Sequence, residues 1–191
     1  MAKRIVITGG PGTGKTVLVR RLEEMGHPCF HEIIREMTLE ARERGTQAEQ
    51  VINPLVFVSD PLAFNRKILD GRIRQYHHAE DLQHPVVFYD RGIPDVLAYM
   101  DYFGQPFDGS FSKPCRMLRY DSVVVLPPWK EIYIQDGARL ENFEQACEIH
   151  DCLEARYRAF GYSVQTLETG PMEWRIERLF ELISDENGRD A

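Results

Sequence analysis

The sequence predicts an α/β domain of three layers, with helices on both faces of a mostly parallel five-stranded sheet. Three observations carry this: short apolar runs that recur along the chain, helix-length segments between them, and a glycine-rich turn joining the first run to the first helix. The 191 residues amount to one domain. Residues 1–184 are expected to form it, with 185–191 as a polar, frayed tail.

Each element has a local reason. Arg4 to Thr8 (RIVIT) is a β-branched run, followed by glycines and then by Thr16 to Met25, whose apolar residues recur at helical spacing. Pro28 to Glu32 (PCFHE) is a weaker strand, and Val86 to Tyr89, Val123 to Leu126 and Ser163 to Leu167 are further ones. Asp60 and Pro61 read as an N-cap and first-turn pair for a helix carrying Leu62, Leu69, Ile73 and Tyr76 on one side. Phe143, Cys147, His150, Leu153, Tyr157 and Phe160 keep one face of another helix, and Gly161 stands where a left-handed terminator is expected. A last helix opens near Pro171. Phe103 to Pro114 is rich in Gly, Pro and Phe and reads as an irregular loop, either plain surface or a substrate lid.

Composition narrows the functional classes. Lys plus Arg total 23 against 30 Asp plus Glu, a net charge of −7, so the overall field repels nucleic acid and anionic membranes. Neither is an expected partner, and an anionic ligand must be held by a local site. Hydrophobic residues at 43% and charged residues at 28% exclude collagen-like and disordered readings. Cys29, Cys115, Cys147 and Cys152 form no CxxC pair, and MAKRIVITGG lacks a signal-peptide pattern; a cytoplasmic location with reduced thiols is expected. No apolar run approaches the roughly 20 residues that cross a bilayer.

The strongest signal is Gly9, Gly10, Pro11, Gly12, Thr13, Gly14, Lys15 and Thr16, which match G-x-x-x-x-G-K-[ST] between a predicted strand and a predicted helix. The glycines let several backbone N–H groups aim into one concavity, and the helix adds its positive end to the same place. Lys15 supplies a mobile charge for β- and γ-phosphates, and the Thr16 hydroxyl can ligate Mg²⁺. This is a P-loop NTPase pattern, and ATP with Mg²⁺ is the expected ligand.

A second part of such a site is an acidic residue at the end of another buried strand. Asp90 follows VVFY, and Arg91 and Gly92 come next. Asp90 is a candidate metal-sphere carboxylate and Arg91 a candidate phosphate cation, since parallel strands end at the ligand crevice. The competing reading makes Asp90 a cap for the helix near Pro94. No N-K-x-D guanine motif is present at useful spacing, and too little chain follows the last strand for the helical subdomain of a ring motor. A compact small-molecule kinase fits. Such an enzyme needs a lid cation and an acceptor-side carboxylate. Arg139, with Lys130 nearby, is the lid candidate within a lid region of about 127–142, or a surface partner of Asp136. Glu32 is the candidate base, with Arg35 and Glu36 one turn on; solvated helix-start charges are the alternative. Trp129 either stacks on a base or anchors its turn.

The order GGPGTGKT, HEIIRE, FYDRGIPDVLAY, LPPWKEIYIQDGAR and AFGY resembles the NadR-like AAA-ATPase family of P-loop proteins, from Lys3 to about Leu167. The DRG-x-PD and PPW-x-x-IY strings are more specific than the phosphate loop. The resemblance implies a nucleoside- and nucleotide-kinase-like fold, related to nicotinamide-riboside kinases, with regulatory nucleotide-binding proteins among the relatives. By position it implies nucleotide phosphates at Gly9 to Thr16, metal or phosphate roles for Asp90 and Arg91, a lid cation at Arg139 and an acceptor-side role for Glu32. The expected activity is transfer of the ATP γ-phosphoryl group to a hydroxyl of a nucleoside-like metabolite. The alternative is a regulatory ATP- or GTP-binding protein with slow hydrolysis.

Overall fold

The first strand, β1 (Lys3–Thr8), is apolar on both faces because both are covered: Val6 enters one hydrophobic layer, Ile5 and Ile7 the other. The computed structural model describes residues 2–34, 60–133 and 141–185. In it β1 lies at the centre of a sheet with β2 (Cys29–Phe30), β3 (Val86–Asp90), β4 (Ser122–Val125) and β5 (Val164–Thr166). The order is β2-β3-β1-β4-β5, and all four pairings are parallel. Strands buried on both faces need no polar alternation, which is why RIVIT, VVFY and VVVL read as continuous apolar runs.

Among the described residues six helices flank the sheet: α1 (Lys15–Glu24), α2 (Pro61–His78), α3 (Ile93–Tyr102), α4 (Gly109–Met117), α5 (Phe143–Ala159) and α6 (Met172–Asp185). Leu18 and Leu22 of α1 and Leu179 of α6 pack on Ile5, Ile7 and Phe88. Leu69 of α2, Leu97 of α3, Phe111 of α4 and Tyr157 of α5 join the opposite layer with Val6 and Tyr89. Each such side chain contributes about 2 kcal/mol by leaving water. The predicted ends hold. The Asp60 carboxylate accepts from the Ala63 N–H at 2.9 Å ahead of Pro61, and Gly161 takes a left-handed φ of 76° after α5.

The stretch from Phe103 to Pro114 departs from its predicted irregularity, because α4 begins within it and Pro114 lies inside the helix. Asp108 caps α4 by accepting from the Ser110 N–H at 2.8 Å, and Phe111 and Cys115, one turn apart, are buried. Tertiary burial of that face outweighs the low helix propensity of Gly, Ser and Pro.

The topology sets two chain turns side by side. Ile7 pairs with Asp90, and the Arg91 N–H extends the ladder by donating to the Ile7 carbonyl at 3.0 Å. The glycine-rich turn after β1 and the Asp90-Arg91-Gly92 turn after β3 therefore share one carboxyl-end crevice.

Candidate active site

The turn after β1 is closed by its own side chains. Thr13 Oγ1 donates to the Gly10 carbonyl at 3.1 Å, and Lys15 Nζ donates to the same carbonyl at 2.7 Å and to Thr13 Oγ1 at 3.3 Å. Gly14 caps α1 in the left-handed region, at φ 85°, where a side chain would be strained. The first helical bond runs from the Leu18 N–H to the Gly14 carbonyl, so the N–H groups before it lie outside the ladder of α1. Lys15 is 7% exposed. Burial, reinforced by the nearby Arg91 charge, pushes its ammonium down to about 7, against the upward pull of Asp90, Glu32 and Asp95.

Arg91 reaches this turn from β3. Its guanidinium donates through Nε to Glu32 Oε1 at 2.8 Å, and through Nη1 to the Gly9 carbonyl at 3.2 Å and to Asp95 Oδ1 at 3.3 Å. Tyr99 offers its ring face 5.1 Å from the guanidinium carbon. Arg91 is a non-glycine residue at φ 77°, a conformation that persists where surrounding bonds over-determine it. Here the backbone N–H and three side-chain bonds do so. Gly92 follows because nothing larger fits: a Cβ there would lie 2.5 Å from the Tyr157 hydroxyl.

The predicted residues are distributed as follows. Lys15, Glu32, Asp90 and Arg91 come together at the carboxyl ends of β1, β2 and β3, with Glu32 partly exposed and Asp90 buried. Asp90 is not a helix cap, because α3 is capped at Gly92, whose N–H donates to Asp95 Oδ2 at 2.9 Å. Thr16 lies in the first turn of α1. A hydroxyl and a carboxylate are hard oxygen donors, and they fit Mg²⁺, which binds through one or two carboxylates and completes its shell with phosphate oxygens and water. Among the described residues no group of three His, Cys, Asp or Glu side chains forms a metal cage. Arg139 and Asp136, with Arg35 and Glu36, lie outside the described residues. Of the stretch expected to form a lid, the part up to Tyr133 packs against the glycine-rich turn: a Cβ on Gly12 would meet the Tyr133 ring at 2.5 Å. Lys130 is exposed, and Trp129 packs with its ring 5.5 Å from the Arg175 guanidinium carbon.

Sequence reasoning missed Asp95, although it stands in the DRG-x-PD string one helical turn after Arg91. It is fully buried and accepts four hydrogen bonds: Thr8 Oγ1 at 2.6 Å, Arg91 Nη1 at 3.3 Å, the Gly92 N–H at 2.9 Å and the Tyr157 hydroxyl at 2.5 Å. One carboxylate thus ties the end of β1, the turn after β3, and α5 to the guanidinium. The i, i+4 spacing to Arg91 was the available signal. Asp95→Ala leaves Arg91 without this buried partner and strands the Thr8 and Tyr157 hydroxyls; unfolding in urea is expected to show a loss of about 3–5 kcal/mol.

The same arrangement of sheet and helices occurs in solved structures. A thymidylate kinase from Candida albicans aligns with TM-score 0.69 and 15% identity over 97% of this chain and 92% of its own. Deoxyadenosine kinase from M. mycoides, solved with dCMP and dCDP, aligns with TM-score 0.61 and 14% identity over 95% of this chain and 99% of its own. A NadR protein in complex with NR aligns with TM-score 0.63 and 25% identity over 87% of this chain but 45% of its own length, so this chain spans less than half of that protein. No curated protein matches the chain. The family model described as an AAA domain matches residues 4–175, a span running from β1 into α6 that includes the glycine-rich turn, and the chain belongs to that family of P-loop NTPase domains.

Proposed function

We propose that the protein is a P-loop phosphotransferase that binds ATP at Gly9 to Thr16 and transfers its γ-phosphoryl group to a hydroxyl of a small, nucleoside-like acceptor. The observation that carries this is the Arg91 guanidinium, which bonds both the Gly9 carbonyl of the phosphate turn and the Glu32 carboxylate. A carboxylate set beside a phosphate site by a shared cation is the juxtaposition that phosphoryl transfer to a hydroxyl needs. Glu32 takes the acceptor's proton. Lys15 and Arg91 face the charge of the transferring group, and Arg139 is the proposed lid cation. Thr16 and Asp90 would hold Mg²⁺, which when bound neutralises phosphate charge. The fold shared with thymidylate, deoxyadenosine and NadR proteins supports a nucleoside-like acceptor. The domain is proposed to occupy residues 1–184.

A coupled ADP-release assay across nucleosides, nucleoside monophosphates and nicotinamide riboside tests this. One acceptor is expected to raise turnover at least about tenfold over the acceptor-free rate. Uniform slow turnover across the panel would instead identify a regulatory nucleotide-binding protein.

A further inference from the structure

Among the described residues Arg175 is the largest fully buried side chain, at 1% exposure, and it takes no part in the network around Arg91. Its Nε and Nη2 are buried with no hydrogen-bond partner among the described residues. It is not short of nearby structure. Nη1 lies 3.0 Å from the point where a Gly14 side chain would begin, Ile132 Cδ1 lies 3.6 Å from the same point, and the Trp129 ring covers the guanidinium at 5.5 Å. What it lacks, among the described residues, is a counter-charge. Burial alone moves its pKa, downward, and no acidic side chain offsets it.

Its place in the chain makes this costlier. The Arg175 N–H donates to the Pro171 carbonyl at 3.0 Å, which puts the residue in the first turn of α6, while Gly14 caps α1. Both helix ends carry partial positive charge, so a cation between them is disfavoured twice. A chain of net charge −7 had carboxylates to place there. Buried polar groups without partners concentrate at functional positions, and a guanidinium offers donors only, so its complement is an anion or a carbonyl oxygen.

We propose that Arg175 is a further cation of the phosphate site, set behind the Gly14 turn, whose counter-charge is the polyphosphate of a bound nucleotide. It acts through the turn and is a positioning residue: it raises the potential in the cradle and fixes Gly14 against Trp129. Lys15 and Arg91 meet the loop from its interior and from the Glu32 side, whereas Arg175 stands at the start of α1. Its contribution is therefore common to nucleoside di- and triphosphates and is made on binding, before transfer. This rests on the nucleotide reading above and extends it to a residue outside the glycine-rich motif.

The test compares the parent with Arg175→Met and Arg175→Lys, by calorimetry with Mg-ADP, Mg-ATP and inorganic tripolyphosphate and by thermal unfolding without ligand. Arg175→Met is expected to weaken all three ligands by about tenfold and to a similar degree. It should raise the Tm of the unliganded protein, because a flexible apolar chain replaces an uncompensated charge. Arg175→Lys, which keeps the charge, should recover most of the affinity. A lower Tm with unchanged affinity in Arg175→Met would make the residue a packing strut and overturn the proposal. Unchanged tripolyphosphate binding with weakened nucleotide binding would overturn it too, by moving the contact to the base. If the parent itself binds none of the three ligands, the nucleotide reading fails first, a result distinct from either.

Discussion

Lys15→Ala is expected to weaken Mg-ATP binding by at least about a hundredfold, because it removes the charge-assisted bonds that an ammonium gives to phosphate oxygens. Calorimetry with Mg-ATP reads this directly, and a variant that binds as the parent does would end the phosphate-site assignment. The same residue leaves a mark on stability. Its ordinary pKa of 10.5 falls to about 7 in the folded protein, with burial the largest cause. Between those values the unfolded chain binds more protons than the folded one, so this group makes stability rise with pH across that window. Below about pH 7 the folded protein bears the whole cost of the buried charge, and at pH 7 most of it. Lys15→Met removes both the cost and the slope, and is expected to unfold at a higher temperature than the unliganded parent at pH 7. Phosphate binding restores the pull toward the charged form. Mg-ATP binding at pH 8 is therefore expected to take up protons in the parent and fewer in Lys15→Met, measured as the dependence of binding enthalpy on buffer ionisation enthalpy.

The parts of this site that were legible in the sequence are those whose reason is local. Gly9 to Thr16 declares itself because glycine spacing, the preceding β-branched run and the following helix are all within a few residues of one another. Asp90 and Arg91 were legible because a buried parallel strand must end at the crevice. The role of Asp95 was not, since it comes from Tyr157, which lies on α5, and from Thr8, which lies on β1. Only the sheet order brings those three together. Arg175 was not singled out in the sequence, where only a last helix opening near Pro171 was legible. Its isolation depends on Gly14 and Trp129 arriving from two other segments, and nothing in the local pattern distinguishes a buried arginine from an exposed one. The α4 helix was hidden for the opposite reason: its composition argues for a loop, and the burial of Phe111 and Cys115 overrides it.

Glu32→Gln separates the proposed base from the binding site. Gln keeps an oxygen that can accept the Arg91 Nε–H bond now made at 2.8 Å, and Arg91 retains Asp95 and the Gly9 carbonyl in any case. The guanidinium and the phosphate turn should therefore stay in place, leaving Mg-ATP affinity within about threefold of the parent. What Gln cannot do is accept a proton from the acceptor hydroxyl. With the acceptor that the ADP-release panel identifies, kcat is expected to fall by about 10²- to 10⁴-fold, the usual worth of a positioned general base. Asp90→Asn is the necessary comparison, because Asp90 is the carboxylate proposed to hold the metal ion, whereas Asp95 is taken up by its four hydrogen bonds. Its expected signature is different: a higher Mg²⁺ concentration needed for half-maximal rate, with activity recovered in part at saturating Mg²⁺, as befits a ligand of the ion. If Glu32→Gln keeps its kcat while Asp90→Asn loses it at every Mg²⁺ concentration, the two carboxylates exchange roles, and the acceptor hydroxyl must approach from the β3 side of Arg91.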